Sequence, residues 1–394
     1  MEISTLWNWQ MGSILNFVFL FDEEYPSWSF RGPFTDYIQN NYEYSLIDDI
    51  DKSKNNILVV EGTECFKGPH RVFDSELYNI INENKLKVIF ASIADPCTWS
   101  DKINFMDDVN SHGLKNKVYY IDTCVNHSKD ENTFCYHHFI EEPGIHFKNH
   151  GDFKFFVDND LGYKSEDTEI SELDNFRNKK FLSFNRTVDK DNRMSLYHTY
   201  LENDFSDSFF SFLNFCASDG SVPFYTKTKK LPIDEYKSKL PIELDTQNSN
   251  VDLQSFKTSN TFKKELFINS CINIVTETSF SCNGLFLSEK IFKPIVCYQP
   301  FIVLGPRYYL KELRSLGYKT FSDFWDESYD EIENGEERYF AIEKIILELN
   351  NKSIDELNEI YQKTKNICIY NREVFNTFKE DSIPNIIKQI ENEW

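Results

Sequence analysis

The sequence predicts an α/β protein made of two consecutive Rossmann-like halves with a C-terminal helical tail. Three observations carry this expectation. Apolar, β-branched runs of strand length alternate with helix-like stretches through the first half. The same alternation restarts near Phe181, and from Gly335 onward apolar residues recur only at helical spacing. At 394 residues the chain also exceeds the roughly 250–300 residues at which a single core stops growing, which favours two domains.

In the first half, Gly12 to Phe21 (GSILNFVFLF) lacks a basic leading region and runs into Asp22-Glu23-Glu24, so it reads as a buried strand and not as a secretion signal. Strand Ile57 to Val60 precedes a helical stretch at Asp74 to Asn82. Strand Lys87 to Ala91 leads through a loop at Asp95-Pro96 to a helical stretch from Lys102 to His112, and strand Lys117 to Ile121 follows. Continuous apolar strands alternating with helices signal a parallel sheet covered on both faces. Lys154 to Val157 is a further strand, and the acid-rich stretch from Asp158 to Asn175 marks the boundary.

In the second half, strand Phe181 to Phe184 precedes helix Asp191 to Leu201 and strand Asp207 to Phe212. Gln247 to Asn260 is a polar loop, followed by helix Phe262 to Asn269 and strand Ile272 to Val275. A turn at Ser281 to Gly284, a helix from Ser288, strand Pro300 to Leu304 and helix Tyr309 to Leu316, closed by Gly317, complete the pattern. The expected divisions are 1–175, 176–376 and a final helix at 377–394, the last free to pack back on the N-terminal domain. Two Rossmann-like halves in succession describe the GT-B architecture, in which a nucleotide-sugar sits between domains.

Composition narrows the function. With 42 Lys+Arg against 64 Asp+Glu the net charge is −22, which opposes a broad phosphate-tracking surface. A composition 40% hydrophobic and 16% aromatic excludes disorder and collagen-like repeats. No apolar run reaches the roughly 20 residues that span a bilayer. Nine irregularly spaced cysteines suit reduced thiols, so the expected location is cytoplasmic.

The stretch from Ile272 to Gly305 holds the most chemistry. Glu277 follows a strand, Ser288 is a candidate N-cap, and Glu289-Lys290 open the helix. Backbone N–H groups at that helix start favour an anion, and Lys290 adds a point charge suited to a diphosphate. Glu289 suits the two vicinal ribose hydroxyls. Asn185-Arg186 closes the first strand of the second half, where the Arg186 fork is a natural second diphosphate ligand. Arg193, one turn into the next helix, is a further candidate. Neither G-x-G-x-x-G nor G-x-x-x-x-G-K-[ST] occurs, which removes the usual fingerprints of nicotinamide enzymes and P-loop kinases.

The pattern S-E-K-I-F-K-P-I followed by Q-P-F-I-V-L-G resembles the donor-binding element of fucosyltransferase-like and exostosin-like GT-B glycosyltransferases. The nearest resemblance is to phage and bacterial glycosyltransferase-like proteins. It extends to F-L-S-F-N-R (Phe181 to Arg186), Y-L-K-E-L-R-S-L-G-Y-K-T-F (Tyr309 to Phe321) and the acidic Asp326 to Asp330, and covers the C-terminal half. The resemblance implies that Glu289 and Lys290 contact the ribose and diphosphate of the donor. Where the family often has Gly before its V-P-V type strand, this chain has Tyr298.

The expected activity is transfer of a sugar from a nucleotide-diphosphate donor to a hydroxyl on a saccharide, a protein or DNA. That calls for no tightly bound cofactor and no divalent metal. An acceptor base is expected from carboxylates at strand ends of the first half, in the order Glu64, Asp95, Glu61. Two alternatives stand beside this: a phage enzyme that glycosylates or arabinosylates hydroxymethylated DNA bases, and a non-catalytic ligand- or partner-binding protein on the same fold. Asp158-Asn159-Asp160 copies a metal-holding D-x-D but reads as a linker turn. His127, His137, His138, His146 and His150 with Cys124 and Cys135 lack the paired spacing of a zinc site. Trp7, Trp9, Trp28 and Phe30 read as core and cover.

Overall fold

The computed structural model describes residues 15–19, 33–61, 75–92, 106–107, 109–114, 116–124, 132–135, 156–157, 170–188, 190–214, 224–244, 261–262, 264–281, 284–377 and 382–393. The chain divides into two compact units, Met1–Asn149 with Lys379–Trp394, and His150–Phe378.

In the first unit the described strands are β1 (Leu15–Phe19), β2 (Tyr44–Leu46), β3 (Asn55–Glu61), β4 (Lys87–Ser92), β5 (Val118–Asp122) and β6 (Thr133–Cys135), with helices α1 (Pro33–Asn41) and α2 (Ser75–Glu83). They form one sheet in the order β2-β1-β3-β4-β5-β6, and all its pairings are parallel. The period-two alternation of a strand sends successive side chains to opposite faces. Phe17, Ile57, Val59, Ile89, Tyr119 and Ile121 therefore meet Phe34, Tyr37 and Ile38 of α1. Their neighbours Val18, Leu58, Val60, Val88, Phe90 and Tyr120 meet Tyr78 and Ile81 of α2. The first face is completed by the last helix of the chain, α10 (Ser382–Asn392), through Ile383, Ile386, Ile387 and Ile390.

The second unit begins ahead of the 175/176 division expected from the acid-rich stretch. Strand β7 (Phe156–Val157) pairs in parallel with β10 (Thr261–Phe262), and Leu173, within the 3-10 turn Ile170–Asp174, is fully buried. The main sheet contains β8 (Lys179–Thr187), β9 (Phe209–Asn214), β11 (Ser270–Thr276) and β12 (Phe301–Leu304) in the order β12-β11-β8-β9, again parallel throughout. Among the described residues its helices are α3 (Asp191–Glu202), α4 (Ile233–Ser238), α5 (Lys264–Ile268), α6 (Glu289–Val296), α7 (Tyr309–Ser315), α8 (Gly335–Asn350) and α9 (Ile354–Thr377). Both units are Rossmann-like α/β bodies, and the chain ends in helices.

Tyr298, after α6, takes a φ of 52°, the left-handed region that favours glycine. The Tyr298 carbonyl accepts from the Tyr361 hydroxyl at 3.3 Å. Burial pushes the Cys271 and Cys368 thiols up to about 12, with the Arg177 guanidinium offsetting part of the rise; both stay protonated and unreactive. No helix among the described residues is long and apolar enough to cross a membrane.

His198 of α3 anchors α4 and the segment before it. Its Nδ1 lies 2.6 Å from the Tyr236 hydroxyl and its Nε2 2.6 Å from the Thr228 hydroxyl. Burial lowers its pKa below the ordinary 6.5, against the opposing pull of Glu202 and Glu343. As pH falls through 6.5, the unfolded chain takes up a proton that the folded chain refuses, so stability is lost on acidification, by up to about 1.4 kcal/mol per pH unit. The melting temperature of the wild-type chain is therefore expected to fall more steeply from about pH 7 to 5.5 than that of His198→Gln. Parallel curves would show that His198 does not drive the effect.

Candidate functional site

The strand order of the second sheet fixes where a ligand can sit. β8, the first of the four in sequence, is central, with β9 on one side and β11 on the other. The connections reverse direction between β8 and β11, and parallel sheets bind ligands outside the carboxyl ends of strands at such a switch point. The residues there are Asn185, Arg186 and Thr187 from β8, Thr276 at the end of β11, and Glu277 and Thr278 just after it.

Alternation along β8 separates two expected ligands. Asn185 is fully buried. Its Oδ1 accepts from the Thr276 hydroxyl at 2.7 Å, and its Nδ2 donates to the Ser183 hydroxyl at 3.2 Å. The Asn185 side chain therefore clamps β8 to β11. Arg186, one residue on, is exposed at the edge.

Glu277 is 1% exposed and Ser288 likewise. One Glu277 oxygen accepts from the Ser288 hydroxyl at 2.6 Å, and the other from the Tyr309 hydroxyl at 2.5 Å and the Ser288 amide at 3.4 Å. Burial beside Glu277 drives the Tyr309 phenol well above its ordinary value, so it remains a donor. The backbone of Glu277 is held as firmly: its carbonyl accepts from Asn192 Nδ2 at 2.9 Å, a group that also donates to the Leu304 carbonyl at 3.1 Å. The starts of α6 and α7 thus converge on the Glu277 carboxylate, and the start of α3 ties the Glu277 backbone to the end of β12.

Ser288 caps α6, its hydroxyl accepting from the Lys290 amide at 3.3 Å. The Lys290 ammonium lies 2.9 Å from Glu289, 3.2 Å from the Ser288 hydroxyl and 3.4 Å from the Thr278 hydroxyl. The Glu289 and Lys290 side chains are 15% and 28% exposed, half-sunk and reachable. Burial alone would raise the Glu289 carboxyl, but Lys290 and Lys293 outweigh it and hold the pKa below the usual 4.5. A cation and a carboxylate therefore stand together at a helix N-terminus, where anions are favoured.

Arg193 is 8% exposed, and its Nη1 donates to the Thr187 hydroxyl at 3.0 Å, which ties α3 to the end of β8. Beside it, Asp191 accepts from the hydroxyls of Tyr225, at 3.2 Å, and of Ser281. Gly335 faces this cluster, and a Cβ there would lie 2.7 Å from the Ser281 hydroxyl oxygen.

Glu61 is the last residue of β3, in the first unit. Glu64, Asp95, Asp158 to Asp160, the five histidines of the 127–150 stretch and Trp7, Trp9, Trp28 and Phe30 lie outside the described residues. Cys124 is buried and Cys135 partly so, and no three His, Cys, Asp or Glu among the described residues are arranged to hold a metal. The site residues expected from the sequence do not include Tyr309, Asn192, Thr278, Tyr225 or Ser281. For Tyr309 a signal existed. It follows Gly305 by four residues, and a Cβ on Gly305 would lie 2.9 Å from the Tyr309 ring, so the glycine at the strand end admits the ring that reaches Glu277.

No family model matches the chain, and no curated protein matches its sequence. Among solved structures, the N-terminal domain of trehalose-6-phosphate phosphatase from Candida albicans is similar at 9% identity over 90% of this chain and 74% of that one, with a TM-score of 0.36. A glycosyltransferase from Streptomyces sp. SF2575 is similar at 9% identity over 83% of this chain and 69% of that one, with a TM-score of 0.24. Likenesses this distant carry no functional conclusion, which rests on the site itself.

Proposed function

We propose that the carboxyl edge of the second unit binds a nucleoside diphosphate, and that the chain is a glycosyltransferase drawing its sugar from a nucleotide-diphosphate donor. The observation that supports this most is the Lys290 ammonium at the start of α6, buttressed by Ser288 and paired with Glu289 at 2.9 Å. In the free chain those two side chains satisfy each other. A diphosphate offers Lys290 a stronger partner and releases Glu289 to accept from ribose hydroxyls. Arg186, exposed at the same switch point, supplies a planar fork for a second phosphate contact.

In the reaction so read, a bond forms from the acceptor oxygen to the anomeric carbon. The bond from that carbon to the diphosphate oxygen breaks, and the diphosphate leaves with the electron pair. Lys290 and Arg186 neutralise its charge, so the reading calls for no divalent metal. The acceptor proton goes to a carboxylate, for which Glu64, Asp95 and Glu61 remain the candidates.

Thermal-shift measurements with UDP, GDP, ADP, CDP and their sugar conjugates test the reading. A ligand at 100 times its Kd adds about 2.7 kcal/mol of stability, so a true binder shifts the melting temperature visibly. By calorimetry, Lys290→Ala is expected to weaken that binder by about 10- to 150-fold, the worth of one charge-assisted hydrogen bond. If the wild-type chain binds none of these nucleotides, the reading fails.

A further inference from the structure

We infer that Glu277 is a positioning residue for this site: it fixes the Ser288 hydroxyl as an acceptor toward Lys290 and so aims the ammonium without touching the ligand. The inference rests on the nucleoside-diphosphate reading above.

A serine hydroxyl has one proton to give and two lone pairs to offer. Here the proton goes to Glu277 at 2.6 Å. The lone pairs take the Lys290 amide at 3.3 Å and its ammonium at 3.2 Å. Every valence of the hydroxyl is thereby committed, and its polarity is set by the one group in reach that can only accept. The carboxylate is itself held, by the Tyr309 hydroxyl at 2.5 Å and the Ser288 amide at 3.4 Å, and at 1% exposure it is out of a ligand's reach. Its direct partners are neutral donors, and the cation stands one hydroxyl away. The carboxylate buried behind Ser288 thus keeps a hydroxyl lone pair turned toward the Lys290 ammonium at the spot where a diphosphate would arrive, while Glu289 remains exchangeable.

A carboxamide at position 277 keeps the shape but changes the polarity. Its NH2 must face either Ser288 or Tyr309. Facing Ser288, it donates to the hydroxyl and turns the hydroxyl proton toward Lys290, where a lone pair is needed.

The test is a double-mutant cycle read by calorimetry, with UDP, GDP, ADP and CDP as probes. In the wild-type background, Glu277→Gln and Ser288→Ala are each expected to weaken the bound diphosphate by about 5- to 20-fold, and Ser288→Thr, which keeps the hydroxyl, to retain near wild-type affinity. In the Lys290→Ala background the loss from Glu277→Gln should shrink to less than about twofold, because the residue acts through that ammonium. A Glu277→Gln chain that melts lower but binds as the wild type does would overturn the inference, as would a loss that persists undiminished without Lys290. Should Glu277→Gln not fold, the contrast between Ser288→Ala and Ser288→Thr decides: equal affinities overturn the inference. In these cases the wild-type chain still binds, so the nucleotide reading survives. A wild-type chain that binds no probe defeats both.

Discussion

Replacing Arg177 by alanine is expected to destabilise the second unit by about 3–5 kcal/mol. The guanidinium is fully buried. One Nη donates to the carbonyls of Phe267 and Ser270 at 2.5 and 2.6 Å, and the other to the Tyr361 hydroxyl at 2.5 Å. It also lies 3.7 Å from the centre of the Tyr361 ring. The Arg177 backbone is stitched to Asn358 in both directions, at 2.9 and 2.8 Å. One side chain therefore joins the entry to β8, the α5–β11 connection and α9. Alanine leaves a cavity and strips charged donors from three acceptors at once, and lysine, a point charge without the fork, should recover little of the loss. Hydrogen–deuterium exchange resolves the effect: amides of β8 and β11 should lose protection in Arg177→Ala. Unchanged protection there would refute the assignment.

Removal of residues 379–394 should unfold the first unit while leaving the second protected. Ile383, Ile386, Ile387 and Ile390 of α10 are 0–4% exposed against the α1 face of the first sheet. Burying one such side chain is worth roughly 1.5–3 kcal/mol, so four of them approach the whole stability of a typical domain. Amides of β1, β3 and β4 are expected to exchange freely in the truncated chain, with β8 and β11 as internal controls. Retained protection in β1 would mean that the helix is dispensable.

Much of this architecture was legible because it is written in local signals. Ile57 to Val60 is a continuous apolar run, Val88 to Ala91 is another behind Lys87, and Ile272 to Val275 is broken only by Asn273; each lies in a buried parallel strand. The cap at Ser288 and the helix it opens follow from side-chain chemistry within three residues. What escaped depends on distant partners. The local pattern starts a helix at Phe262, yet Thr261–Phe262 forms a strand because Phe156–Val157, more than a hundred positions earlier, pairs with it. β2 is a short, half-exposed edge strand at Tyr44–Leu46, with too little apolar character to announce itself. At the site the same division holds. Glu289 and Lys290 are set by the helix they begin, whereas the inward turn of Glu277 is decided by Tyr309, and the clamping of Asn185 by Thr276.

The placement of α10 also sets a timetable. The first unit needs residues 382–393 to close its core, and between them and residue 149 the whole of the second unit is spelled out. At a synthesis rate of about 5–20 residues per second, that interval lasts on the order of ten to fifty seconds. During it β1 to β6 wait with the α1 face of their sheet only partly covered. The earlier-made sheet of a nascent chain therefore cannot gain its full core until the later-made body has been synthesised.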